Sequence, residues 1–243
     1  MTLRKIDLPS GWQERIKSEA WVKIAASPLM QGCRNCDERA LKALYCGYWH
    51  FVDTFPEVIQ STYCEAPASS ADGRFLRRAA GILAGTLEGM EADERAHRTL
   101  WIKSAAQFGF SEEQLYGWPV VSEIAAISQT MSGETLLQRR LLQFVATEIV
   151  AEGISSCLAS SEAFKHRAGA RGMGWFNVHL IHQDDETTHE AIAYNAAFLM
   201  MREAGTQSDE ISIDAEVQSG VDLFIKAALA CCAAVGYQYP YAA

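Results

Sequence analysis

Three of the six histidines of the chain fall within residues 179–189, interleaved with acidic residues. His182, Glu186 and His189 are spaced so that they return to one face of an α-helix, with neighbouring Cβ atoms about 5–6 Å apart. Two imidazoles and a carboxylate at this spacing can bind a transition metal together. The same face continues into apolar residues, and burying such groups is costly unless they are paired or bind metal. We therefore interpret these residues as metal ligands rather than as an exposed charged helix.

One helix supplies only part of a coordination shell, so further ligands must come from other inward-facing helices. The segment LLQFVATEIVAEG places Glu148 on an apolar stripe with Leu141, Phe144 and Val145. Glu152, beside a glycine, is predicted to lie at the solvent edge of that stripe. Glu148 is therefore a candidate ligand from a second helix.

The segment LEGMEADERAHRTLW offers ligands from a third helix. His97 shares a helical face with Glu94, three residues earlier, and with Trp101, four residues later. A lone histidine near a charged run is usually a surface residue, but the other candidate ligands favour metal binding here. A mixed set of imidazoles and carboxylates suits iron or manganese, usually as a pair, better than a closed zinc site. Dinuclear carboxylate sites recur inside helical bundles.

The apolar residues along the chain follow a helical period almost throughout, with very little strand alternation. Pro56 is predicted to kink one helix, and Gly89 is a candidate break in another. Ser-Glu-Glu-Gln at 111–114 fits a capping box. The sequence predicts an all-α bundle of about seven helices, formed by one domain over 1–243. Helices are predicted at residues 11–26, 37–60, 74–108, 111–118, 120–130, 133–165, 172–204 and 209–235.

Composition excludes several classes of protein. With 49% hydrophobic and 21% charged residues among 243, the chain has enough apolar material for an ample core. A net charge of -9 argues against nucleic acid as a partner, because a duplex repels an acidic surface. The sequence has no uninterrupted apolar run of about 18 residues, the length of a transmembrane helix. The N-terminal segment contains charged residues where a signal peptide would have its apolar region. We expect a cytoplasmic protein without a membrane partner.

The seven cysteines form an odd set, which disfavours a disulfide framework in a cytoplasmic chain. Cys33 and Cys36 form a CxxC pair, which can be a zinc half-site or a redox pair. The chain has no second CxxC and no βαβ pattern around this one. Reduced, partly buried thiols are therefore the better interpretation.

Several blocks of the sequence resemble, in order, the haem-oxygenase-like diiron oxidases and oxygenases. This group includes relatives of the thiaminase-type and pyrroloquinoline-quinone-synthesis proteins and of the chlamydial protein associating with death domains. The blocks span most of residues 28–195, and the last is the most specific. The resemblance implies a haem-oxygenase-like bundle that holds metal ions in place of haem. The blocks are ALYCGYWHFVDTFP, HRTLWIKSAAQFGFSEEQL, ATEIVAEGIS and His182-x3-Glu186-x2-His189.

Carried over residue by residue, the resemblance implies five metal ligands and leaves the sixth open. Relatives often place a glutamate seven residues before the first ligand histidine, where this chain has Met90. Glu94 is the favoured substitute on geometry, Glu91 is kept beside it, and Glu88 applies if the segment carries an insertion. His179, one turn before the final motif, is expected to lie outside the ligand set. The five implied ligands are His97, Glu148, His182, Glu186 and His189.

The resemblance also implies an activity. Two iron ions per chain, with manganese an option at one site, would activate O2 to oxidise a small metabolite such as an amino acid, an amine or a fatty acid. The implied partners are this substrate, O2 and an electron donor, in specialised or cofactor biosynthesis. No catalytic residue beyond the metal ligands and no other cofactor-binding residue is predicted. Whether a homodimer forms through the apolar segment LFIKAALACCAAVGY stays open.

Two alternatives stay open beside the oxidase. A metal-free thiaminase-type or quinone-cofactor-synthesis-type enzyme on the same fold would use a nucleophile such as Cys157, and the final motif would then have no evident purpose. A non-enzymatic interaction protein that kept the bundle would bind no stoichiometric metal. We interpret three aromatic residues mainly as part of the core, namely Tyr48, Trp49 and Trp101. The other interpretation is that they line a substrate pocket.

Overall fold

The structure, a computed structural model, describes residues 11–65, 74–132, 137–180, 193–194, 197 and 210–238. These ranges hold eleven helices and no strand, so the all-α prediction is confirmed, while the expected number of about seven helices is too low. The helices are α1 (Trp12–Ala26), α2 (Pro28–Arg34), α3 (Glu38–Tyr45), α4 (Trp49–Glu65), α5 (Arg74–Gln107), α6 (Glu112–Tyr116), α7 (Ser122–Thr130), α8 (Leu137–Ala159), α9 (Glu162–Gly172), α10 (Gly174–Val178) and α11 (Glu210–Ala234).

The single helix predicted over 37–60 is divided into α3 and α4 at Gly47. A Cβ atom at Gly47 would lie 2.2 Å from the carbonyl oxygen of Ala43 and 2.7 Å from Sγ of Cys231. The close approach of α11 therefore requires glycine at this turn. Pro56, the predicted kink, lies inside α4.

The helix predicted over 133–165 ends early because Ser161 starts a new one. The Ser161 hydroxyl accepts a hydrogen bond from the Phe164 amide at 3.2 Å and donates to the Arg34 carbonyl at 2.8 Å. This N-cap separates α9 from α8. By contrast, α5 runs unbroken through Gly89, and the capping box predicted at Ser111 is present.

The sequence analysis did not predict α2, although a local signal marks its start. Ser27 accepts a hydrogen bond from the Met30 amide at 3.3 Å, and Pro28 occupies the first helical position. Serine as N-cap followed by proline is a favoured way to begin a helix.

Helix α8 is the central element, in contact with α1, α2, α9, α10 and α11. A buried hydrogen-bond chain ties the surrounding helices together. The Tyr45 hydroxyl and the Ser104 hydroxyl lie 2.8 Å apart, and Ser104 donates to the Gly172 carbonyl at 2.6 Å. These bonds fix α5, which carries two candidate ligands, against α3 and α9.

Glu152 does not lie at a solvent edge, so that prediction is wrong. The side chain is buried, and its Oε2 lies 2.8 Å from Nζ of Lys17 on α1. Helix α1 covers the face of α8 that the apolar stripe predicted to be exposed to solvent. The Lys17 ammonium therefore balances the charge of the buried Glu152 carboxylate.

Two helices in the described part of the chain are long and apolar enough to cross a membrane by length and composition alone. They are Leu137–Ala159, whose apolar window is 83% buried inside the fold, and Ile213–Ala234, whose window is 44% buried. The central helix of a soluble bundle passes the same test, so the finding is weak support for a membrane protein. The absence of a membrane partner stays a prediction.

All seven cysteines are free thiols, and the CxxC pair is partly buried. Cys33 is fully buried, and its burial raises the pKa of the thiol well above the ordinary value. Burial also raises the pKa of Cys36. Neither thiol has the lowered pKa that marks a reactive redox cysteine.

Thiol labelling should separate Cys64 from Cys231. Burial, followed by the influence of Cys232, raises the pKa of Cys231 to about 12, whereas Cys64 is exposed. Because the thiolate is the reactive form, roughly one Cys231 thiol in ten thousand is reactive at pH 8. Iodoacetamide at pH 8 should therefore modify Cys64 first, as read by peptide mass spectrometry. Equal rates at the two cysteines in the folded chain would contradict the buried position of α11.

Candidate metal centre

Two helices bring a carboxylate and two imidazoles together inside the bundle. Glu94 and His97 lie one turn apart on α5, and His179 directly follows α10. Their candidate ligand atoms all lie within 4.8 Å of one another. Glu94 is buried, and both histidines are partly buried. The shared face of Glu94, His97 and Trp101 predicted from the sequence is therefore present.

Hydrogen bonds orient both imidazole rings. Nδ1 of His97 lies 2.9 Å from Oε1 of Glu94, and Nδ1 of His179 lies 2.7 Å from the carbonyl oxygen of Trp175. An Nδ1–H that donates to oxygen leaves the Nε2 lone pair free to bind a metal. The Trp175 ring packs on His179 at 4.2 Å between centroids and restricts its rotation further.

The surroundings keep His179 in the form that binds metal. Burial lowers the pKa of His179 below its ordinary value, and the neighbouring His97 adds to this effect. Glu148, Glu94 and the bond to Trp175 act in the opposite direction but do not reverse it. A neutral imidazole is the ligand form, so the site needs little proton release from His179 on binding a cation.

Glu148 reaches the same region from α8. It lines a cavity of about 40 Å³ together with Glu94 and His179. The carboxylates of Glu148 and Glu94 influence His179 in the same sense, as expected for groups around one centre. Donors from α5, α8 and the end of α10 therefore converge.

The remaining candidates for the sixth ligand lie elsewhere. Glu91 binds the guanidinium of Arg95, which also pairs with Glu57 at 3.1 Å. Glu88 is exposed, and Met90 is buried in the core. Among these positions, Glu94 alone joins the cluster of imidazoles. Three predicted ligands lie outside the described residues, namely His182, Glu186 and His189.

His179 is the residue that the sequence analysis placed outside the ligand set, whereas the structure places it inside the cluster. Its position three residues before His182 was a signal in the sequence, because this spacing predicts a common helical stripe. The deciding contacts are the bond to the Trp175 carbonyl and the ring contact with His97 at 4.8 Å between centroids.

An all-α bundle with two imidazoles and carboxylates converging in its interior defines a protein suited to hold a transition metal. The chain belongs to the haem-oxygenase-like family of iron-containing redox enzymes, which residues 47–218 match. It is similar to the crystal structure of a TenA homologue from Pseudomonas syringae pv. tomato, with 18% identity, a TM-score of 0.69 and 93% of each chain covered. At this identity the likeness shows the fold alone, which is TenA-like and haem-oxygenase-like. No curated protein matches the chain.

The donor set fits the iron that the family name implies. Two imidazole nitrogens and a carboxylate with open positions are the pattern of non-haem ferrous oxygenases. The hydrogen bonds at both Nδ1 atoms orient the two rings, as is usual for imidazoles that bind a metal through the other nitrogen. Glu148 supplies a further carboxylate from the opposite helix.

Proposed function

We propose that the chain is a non-haem diiron oxidase or oxygenase that uses O2 to oxidise a small metabolite. The observation that carries the proposal is the cluster of Glu94, His97 and His179, of which Glu94 and His179 share one cavity with Glu148. Manganese can replace iron at one of the two sites. The proposed ligands are Glu94, His97, Glu148, His182, Glu186 and His189, with Glu91 kept as the alternative to Glu94 and His179 as an added candidate.

The residues of the chain have distinct roles in this proposal. Glu94 and the Trp175 carbonyl hold the two imidazoles with Nε2 directed away from their hydrogen-bond partners. Glu148, on the central helix α8, would supply a further carboxylate to hold the metal. Trp101 and other apolar residues around the cavity limit the entry of water. Bound iron would supply the reduction of O2, with electrons from an external donor.

A mononuclear centre is the second candidate. Glu94, His97 and His179 by themselves form a set of two histidines and one carboxylate within 4.8 Å. Such a set holds a single ferrous ion in many oxygenases. The metal-free alternative relies on Cys157, but that thiol is buried and burial raises its pKa, which disfavours a nucleophile.

Anaerobic loading with ferrous iron tests the proposal directly. We expect about two iron ions per chain and, after O2 is added, a transient visible absorption that His182→Ala abolishes. One ion per chain that survives His182→Ala but not His179→Ala would support the mononuclear centre instead. A chain that binds no iron would overturn both.

The proposal also covers the cellular location and the partners of the enzyme. We place it in the cytoplasm, where a small-molecule substrate, O2 and an electron donor are its partners. A homodimer is consistent with the incompletely buried helix α11.

A further inference from the structure

The cavity beside the candidate metal centre has a lining of two chemical kinds. The ionisable part is Glu94, Glu148 and His179, with the Trp175 ring packed on the imidazole. The rest of the lining comes mainly from α4, α8 and α11, and we call its hydrocarbon part the apolar wall. The apolar wall consists of Phe51, Val52, Phe55, Val150, Ala151, Ile154 and Phe224.

Three other residues of the described lining carry side-chain polar atoms that are already hydrogen-bonded to the protein. The Tyr48 hydroxyl donates to the Phe224 carbonyl at 2.8 Å. The Trp101 indole donates to the Tyr45 carbonyl at 3.2 Å. The Thr147 hydroxyl donates to the carbonyl of Gln143, one turn earlier, at 2.9 Å. A polar group buried against these residues would lose its hydrogen bonds to water. It would gain none from these three side chains, because their donors already bind backbone carbonyls.

The size of the cavity sets the size of the group that fits. Its volume is about 40 Å³. A single water needs about 10–15 Å³ on this measure, so the described cavity holds roughly three water-sized groups. A short hydrocarbon segment of three or four heavy atoms fills it.

We propose that the apolar wall binds an uncharged hydrocarbon part of the substrate, next to the atom that is oxidised at the metal centre. This inference rests on the proposed function and narrows its substrates. It favours short-chain alkyl carboxylates and amines whose charged group lies away from the apolar wall. It disfavours amino acids with polar side chains, because their hydroxyl or amide groups would be buried without partners.

A pair of probes with equal numbers of heavy atoms tests the proposal. Propan-1-ol can direct its hydroxyl to Glu148 and its methyl end to the apolar wall, whereas ethane-1,2-diol places a second hydroxyl there. Ligand-observed NMR titration of the full chain, iron-free and iron-loaded, should show propan-1-ol binding at least tenfold more tightly. Equal binding of the two probes, or no measurable binding of propan-1-ol, would overturn the inference.

Two variants locate the binding at the apolar wall. Ala151→Leu fills the cavity and should weaken propan-1-ol binding at least tenfold. Ile154→Ala enlarges it and should shift the preference from propan-1-ol towards hexan-1-ol. Val22→Ala removes a side chain that is 70% exposed and should change neither titration. Circular dichroism checks that each variant is folded, and unchanged binding in both cavity variants would count against the inference.

Iron content separates the two proposals. Selective binding of propan-1-ol by a chain that takes up no iron would overturn the proposed oxidase but leave the apolar site. Two bound iron ions with no preference between the probes would overturn the substrate class alone.

Discussion

Glu148→Gln should reduce bound iron from about two ions per chain to one or fewer and lower O2-dependent turnover by at least about 100-fold. Even partners that only orient metal ligands change affinity or activity by about 10–100-fold, so losing a ligand should exceed that range. Glutamine keeps the size of the side chain but replaces an anionic oxygen with an amide, which cannot bridge two cations. Iron is measured after anaerobic loading and desalting.

Glu152→Gln is the matched control, since it makes the same substitution one turn further along α8. Glu152 is buried and paired with Lys17 at 2.8 Å, and it is not among the described residues that line the cavity beside the cluster. The variant should keep its iron but lose stability, by up to about 3 kcal/mol in the iron-free chain, because the substitution removes the buried ion pair with Lys17. Iron loss of the same extent in both variants would show that Glu148 acts through the stability of α8 rather than as a ligand.

The sequence predicted the faces of the helices better than their ends. Leu141, Phe144 and Val145 are buried as the helical stripe requires, and Glu94 and His97 meet on α5 as their spacing predicts. These predictions depend on the period of the helix, which is a local property.

The errors come from contacts between distant segments. The break at Gly47 depends on Cys231, which the helical period of 37–60 cannot reveal. Glu152 was expected in solvent because nothing local indicates that α1 will bring Lys17 against it. The closeness of His179 to His97 likewise depends on the packing of α10 beside α5, although its place outside the ligand set stays a prediction. Such contacts are set by tertiary packing rather than by spacing along one helix.

Trp101→Ala is expected to have the largest effect on stability, lowering the free energy of unfolding by about 3–5 kcal/mol. The side chain is 2% exposed, and its ring packs against Tyr45 at 5.3 Å and Trp175 at 4.8 Å between centroids. Removal leaves a cavity between α3, α5 and α10. Urea unfolding of the iron-free chain measures the loss without a contribution from metal binding, and a loss below about 1 kcal/mol would contradict this packing.

A pair of tryptophan-to-phenylalanine variants separates the hydrogen bond from the packing. The Trp101 indole donates to the Tyr45 carbonyl at 3.2 Å, so Trp101→Phe leaves a buried carbonyl without its donor and should cost about 1–3 kcal/mol.

The Trp118 indole nitrogen is also buried but has no acceptor among the described residues. Trp118→Phe removes that unsatisfied donor and keeps a ring beneath Lys42, whose Nζ lies 4.7 Å from the centroid. It should therefore change the free energy of unfolding by less than about 1 kcal/mol. Equal losses in the two variants would mean that ring volume, not the Tyr45 bond, accounts for the contribution of Trp101.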